Sequence, residues 1–262
     1  MDPFVIRVDT RAIRSVAEWF EAAPPKVGAR HWKNGRSAKE LAKAWCSDDG
    51  VVIPPELEVL LRSGNTFPQF RLREVFPEHR TAFDNLPGEP RNSDLAIVAA
   101  DDLGPFVVCV EAKADEPFGE LVQVTLRSAV KRIALEEPSN AVMRAQKLAA
   151  ALLPPWREGF ARFGDLRYQL LTGVAGTLAF AGEQMAGRAV FVVHELINPA
   201  LTNEKKLLEN QRNFEAFINR MTCGTVEHVE AGVLIGPIRV RGNDLIPSNV
   251  DLYLGKIRRD LK

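Results

Sequence analysis

The sequence contains no C-x-x-C pair, no G-x-S-x-G and no G-x-x-x-x-G-K-[ST]. A structural zinc site, an α/β-hydrolase elbow and a P-loop therefore all lack their motifs. "HELIN" starts like H-E-x-x-H but ends in Asn198 and sits in a strand-like run, which removes a zincin site. The three cysteines, Cys46, Cys109 and Cys223, are odd in number, far apart and set in apolar stretches. That pattern suits reduced core thiols better than a disulfide framework. No apolar run approaches the roughly 18 to 20 residues that span a bilayer, and "MDPFVIRVD" lacks a basic segment followed by an apolar one. An intracellular, cytoplasmic protein is expected. Net charge is also missing: 34 Lys and Arg balance 34 Asp and Glu, so global charge announces no polyanion partner.

The chain has 262 residues, 46% of them hydrophobic and 26% charged, enough for one large domain with a sizeable core. Charge is uneven locally. "KVGARHWKNGRSAKELAKAW" carries Lys26, Arg30, Lys33, Arg36, Lys39 and Lys43 against one acid, Glu40, with Trp32 and Trp45 interleaved. Such a stretch either grips phosphates and stacks on bases or is a solvated face around a short helix.

"FVIRV" reads as a strand and residues 11–22 as a helix with Ile13, Val16, Ala17 and Phe20 on one face. Ser37 and Glu40 form an S-x-x-E capping box ahead of "AKELAKAWC". A short helix follows in "PPELEVLLRS", then residues 65–93 carry four prolines and read mostly as loop. "DLAIVAA" and "PFVVCVEAK" form an antiparallel hairpin, apolar at nearly every position and so covered on both faces. Helices are expected at 120–134, in "NAVMRAQKLAAALL" and in "DLRYQLLTGVAGTLAFA", with Asp165 as N-cap of the last. "RAVFVVHEL" joins the same sheet, "NEKKLLENQRNFEAFINRM" is an amphipathic helix, and the C-terminal strands meet a bulge or sheet edge at Gly236 and Pro237. No repeat or long linker interrupts this order. The expectation is a single α/β domain over 1–262: an N-terminal strand and helix (1–36), a core (37–196), and a C-terminal helix with strands (197–262).

Chemistry concentrates at the end of the hairpin. Glu111 and Lys113, two apart on a strand, share one face while Val110 and Ala112 take the other. Pairing Ala99 with Phe106 across a six-residue turn, 100–105, brings Asp94 opposite Glu111. A one-residue slip would send Asp94 to the other face. Two carboxylates so placed repel, and a divalent cation relieves the conflict; Mg²⁺ is commonly held by one or two carboxylates, waters and phosphate oxygens. Lys113 beside it would either deprotonate the attacking water or hold it against the phosphate.

Asp94, then Glu111-Ala112-Lys113 on adjacent strands after a helical region, resembles the PD-(D/E)xK superfamily of restriction-endonuclease-like nucleases. The resemblance covers residues 37–196. It departs from the family motif at Ser93, where the proline would stand; the nearest proline is Pro90. It implies a restriction-endonuclease-like α/β core, a central mixed β-sheet flanked by helices, with Asp94 and Glu111 binding Mg²⁺ (or Mn²⁺) and Lys113 catalytic. It further implies hydrolysis of phosphodiesters in DNA, or in RNA, and a homodimer that cuts both strands. The alternative is a catalytically silent nuclease fold that binds nucleic acid or protein. An additional helical acid is implied, with Glu40 the best-placed candidate and Glu74 behind it. Tyr168 and Gln169 correspond to a helix that lies near DNA in some members. Arg91 and Asn92 either contact phosphate or belong to a surface loop, and Asp115 and Glu116 either extend the site or turn the chain.

Overall fold

A computed structural model describes residues 4–26 and 28–261; residues 1–3, 27 and 262 of the expected domain lie outside the described residues. Among the described residues ten strands and seven α-helices follow one another: β1 (Val5–Val8), β2 (Arg11–Ile13), α1 (Val16–Ala22), α2 (Ser37–Trp45), β3 (Cys46–Ser47), β4 (Gly50–Val51), α3 (Pro55–Arg62), β5 (Arg71–Thr81), β6 (Arg91–Asp101), β7 (Gly104–Lys113), α4 (Val122–Ala134), α5 (Ala141–Leu152), α6 (Tyr168–Glu183), β8 (Arg188–Ile197), α7 (Glu204–Met221), β9 (Leu234–Ile238) and β10 (Asp251–Asp260). Eight strands form one mixed sheet in the order β2-β1-β5-β6-β7-β8-β10-β9, and β3 with β4 makes a separate two-residue hairpin. The β7, β8 and β10 strands run parallel, whereas β5, β6 and β7 form an antiparallel meander. No helix among the described residues is long and apolar enough to cross a membrane.

The strict alternation of strand side chains divides the core in two. Ala96, Val98, Val107, Cys109, Phe191 and Val193 face α4 to α7, while Leu95, Ile97, Val108, Val110, Val190 and Val192 face α1 to α3. Both faces of the central strands are thus sealed, as their near-continuous apolar sequences demand. Every residue of α6 from Leu170 to Ala181 is buried, so this helix lies between the sheet and the outer helices. Close packing there needs small residues: a Cβ on Gly173 would stand 2.7 Å from the Phe191 ring.

Several local expectations change. Residues 11–22 are not one helix: Arg11–Ile13 pair with β1, and Ser15 then caps α1 by accepting from the Glu18 amide. The Ser37-Glu40 capping box does not form, because Arg36 is the N-cap residue and Glu40 is used elsewhere. Asp165 closes a 3₁₀ turn, and Arg167 precedes α6. Residues 65–93 are not mostly loop, since they contain the eleven-residue β5. Pro77 is tolerated inside it because β1 pairs only as far as Val75, so no neighbour on that side requires the missing N–H. The 100–105 turn tightens to Asp102 and Leu103, with Asp101 paired to Gly104. Cys46 and Cys109 are core thiols, but Cys223 is exposed.

Candidate active site

Ala99 pairs with Phe106, and the ladder continues to Leu95 and Val110, so one step further Asp94 comes level with Glu111. On the other side, Pro77 pairs with Leu95 and His79 with Ser93, which brings Glu78 of β5 level with Asp94. Three carboxylates from three adjacent strands therefore stand in a row on the face that α6 covers, and all three line one cavity of about 550 Å³. Arg91, Asn92, Lys113, Glu116 and Gln169 line it as well. The opposite wall is the segment between α1 and α2, through Lys26, Arg30, His31, Lys33 and Arg36.

Glu111 is buried and heavily engaged. Its Oε1 accepts from Lys113 Nζ at 2.6 Å and from Gln169 Nε2 at 2.7 Å, and its Oε2 accepts from the Arg91 guanidinium. Burial alone would raise its pKa, but Lys113 and Arg91 outweigh that and hold the carboxyl below the usual range. Asp94 Oδ2 accepts the Ala112 amide at 2.7 Å. Burial and then the neighbouring Glu111 push Asp94 well above the ordinary carboxylate range, against the pull of Lys113. Glu78 takes a hydrogen bond from Asn92, yet burial and Glu111 raise it too. Lys113 would lose its proton more readily through burial, but Glu111 and Asp94 reverse this and raise its pKa. It is an ammonium at neutral pH.

The other expected residues divide. Gln169 reaches the cavity; Tyr168 does not line it and packs instead against the core. Glu116 lines the cavity and accepts the Ala114 amide at 2.8 Å. Asp115 ties the end of β7 to Arg36 at 2.9 Å. Arg91 and Asn92 belong to β6 rather than to a surface loop, and both bond carboxylates of the row. Glu40 does not line the cavity; its Oε1 accepts the Gly35 amide at 2.8 Å and Lys43 Nζ at 2.9 Å. Glu74 lies on β5 and pairs with Arg7. Glu78 is the residue that sequence reasoning missed, and the signal for it was the strand hidden among the prolines.

Among the described residues, no group of three or more His, Cys, Asp or Glu side chains converges closely enough to cage a metal ion. The row instead offers hard oxygen donors side by side, which fits an ion held by one or two carboxylates and otherwise by water or phosphate oxygens. Residues 12–261 match the model of a family described as a domain of unknown function, DUF6946. Neither the curated proteins nor the solved structures contain a match to the chain.

Proposed function

This chain belongs to the DUF6946 family, and we propose that it is a metal-dependent nuclease with a restriction-endonuclease-like core, hydrolysing phosphodiester bonds in DNA. The observation that carries this reading is the cavity itself, which sets an acidic row and a buried lysine against a basic wall. Asp94 and Glu111 would hold Mg²⁺ or Mn²⁺, with Glu78 as a third acid beside them. When bound, the ion would supply a Lewis acid for a phosphate oxygen and lower the pKa of a coordinated water.

The protein's own groups account for the rest. Lys113, kept protonated by Glu111 and Asp94, is a donor to the phosphate or the attacking water and not the base that activates it. Gln169 fixes the orientation of Glu111 through its hydrogen bond. Arg91 balances the second oxygen of Glu111 and stands ready to meet negative charge in the cavity.

A silent binding module is the second reading, favoured by one observation: Arg91, Lys113 and Gln169 already occupy both oxygens of Glu111. Two measurements separate them. Purified protein with Mg²⁺ or Mn²⁺ should cut DNA, and Lys113→Ala should cut at least about 100-fold more slowly, the scale of losing one donor to developing charge. Mn²⁺ binding by calorimetry should disappear in Glu111→Gln. Failure to cut DNA or RNA with either metal, or equal cutting by Lys113→Ala, overturns the nuclease reading; Mn²⁺ binding that ignores Glu111 overturns its metal site.

A further inference from the structure

Two features of the basic segment between α1 and α2 separate its cations from its aromatics. Lys26 is paired with Glu89 at 2.8 Å on the surface, and Arg36 with the buried Asp115 at 2.9 Å, so an ion pair stands at each end of the segment. Gly35, at φ +76°, adopts a left-handed conformation that glycine enters freely, and the Glu40 carboxylate accepts its N–H. Between these anchors, Arg30, His31 and Lys33 are exposed, and among the described residues they have no ion pair or side-chain hydrogen bond. The tryptophans are used differently. Trp32 packs on Phe20 with ring centroids 5.1 Å apart, and Trp45 is fully buried against Phe4.

We propose that this segment is a phosphate clamp: Arg30, His31 and Lys33 hold the sugar-phosphate backbone of a nucleic acid across the cavity from the acidic row, without reading its bases. The inference rests on the nucleic-acid reading of the same cavity and adds the mode of recognition. Charge complementarity carries it. The acidic row repels a polyanion, so attraction has to come from the opposite wall, where Arg30 and Lys33 are unpaired. Arg91 adds a second pointer, because its nine-tenths-buried side chain lines the cavity and its Nε–H has no partner. Stacking on bases needs an exposed aromatic face. None of the described cavity-lining residues is Phe, Tyr or Trp. Phosphate contacts position a nucleic acid but carry no sequence information. Glu40 braces this segment by accepting the Gly35 N–H.

The test is fluorescence anisotropy of labelled duplex DNA in EDTA, with two unrelated sequences and a series of salt concentrations. The wild type should bind both sequences with affinities within a fewfold of each other. Arg30→Ala/Lys33→Ala should flatten the slope of log affinity against log salt by about 1.8, from roughly 0.9 per phosphate contact on duplex DNA. Lys131→Ala, on the remote α4, should leave the slope unchanged. All three residues are exposed, so the variants should melt within a degree or two of wild type. No binding, an unchanged slope in the double variant, or a preference above about 100-fold between the sequences overturns the clamp. Cleavage measured separately keeps the two claims apart: a slope change without cleavage removes the nuclease and leaves the clamp, while cleavage with an unchanged slope does the reverse.

Discussion

Gly176 of α6 lies against the stem of Arg91: a Cβ on the glycine would stand 2.8 Å from Arg91 Cγ and 3.1 Å from its Cβ. A helix interior normally disfavours glycine by about 0.5 to 1 kcal/mol relative to alanine. Here the missing side chain gives Arg91 the room to lay its guanidinium on Glu111.

Gly176→Ala should therefore destabilise the protein, although alanine is the better helix former. Overpacking of this kind costs about 1 to 3 kcal/mol, more than the helix propensity returns. Urea denaturation measures it, and a variant as stable as wild type would show that Arg91 can move aside freely.

Binding of Mn²⁺ should release a proton and tighten as pH rises. Asp94 is raised well above its ordinary value by burial and by Glu111, so its proton competes with the ion above the usual carboxylate range. Calorimetry in two buffers of different ionisation enthalpy should show the release, and Asp94→Asn should abolish it. Affinity that does not rise with pH above the usual carboxylate range would contradict this.

The contact between buried His194 and half-buried Glu56 should lose its contribution to stability in two stages on acidification. Glu56 lies 2.9 Å from His194 Nε2 and accepts from Arg259 at 2.7 and 2.9 Å. Burial lowers the pKa of His194 below 6.5, outweighing Glu56, so the unfolded chain takes up this proton first. Its contribution is complete above 6.5 and declines as pH falls below that value. Glu56, lowered to about 2 because the close His194 and the Arg259 bonds outweigh burial, contributes fully above 4.5 and loses that contribution as pH falls towards 2. Relative to His194→Gln, the wild-type urea midpoint should lose ground between pH 7 and 5.5; relative to Glu56→Gln it should lose ground between pH 5.5 and 3.5. A wild-type midpoint that gains on His194→Gln between pH 7 and 5.5 would refute the first stage.

The Asp94-Glu111 register was legible because it depends on parity alone. The strands run two residues further into the turn at each end than expected, yet every pair still sums to the same number, so no side chain changes face. Glu78 was not legible, since Pro77 beside it argues against a strand unless one knows that β1 has already ended. Glu40 fits a capping pattern that the chain does not use, because Gly35 offers its N–H to the same carboxylate. Tyr168 and Gln169 are neighbours on a helix, about 100° apart around its axis. Only Gln169 lines the cavity, and no local pattern says which it will be.

The two walls of the cavity are built to different tolerances. Asp94, Glu111 and Glu78 are spaced by the backbone ladders of β5, β6 and β7, which side-chain substitution leaves in place. The segment opposite hangs on a few individual side-chain bonds, from Lys26, Arg36 and Glu40. Changes of length or charge between those anchors can accumulate without disturbing the row, so this wall is free to vary while the acidic row keeps its spacing.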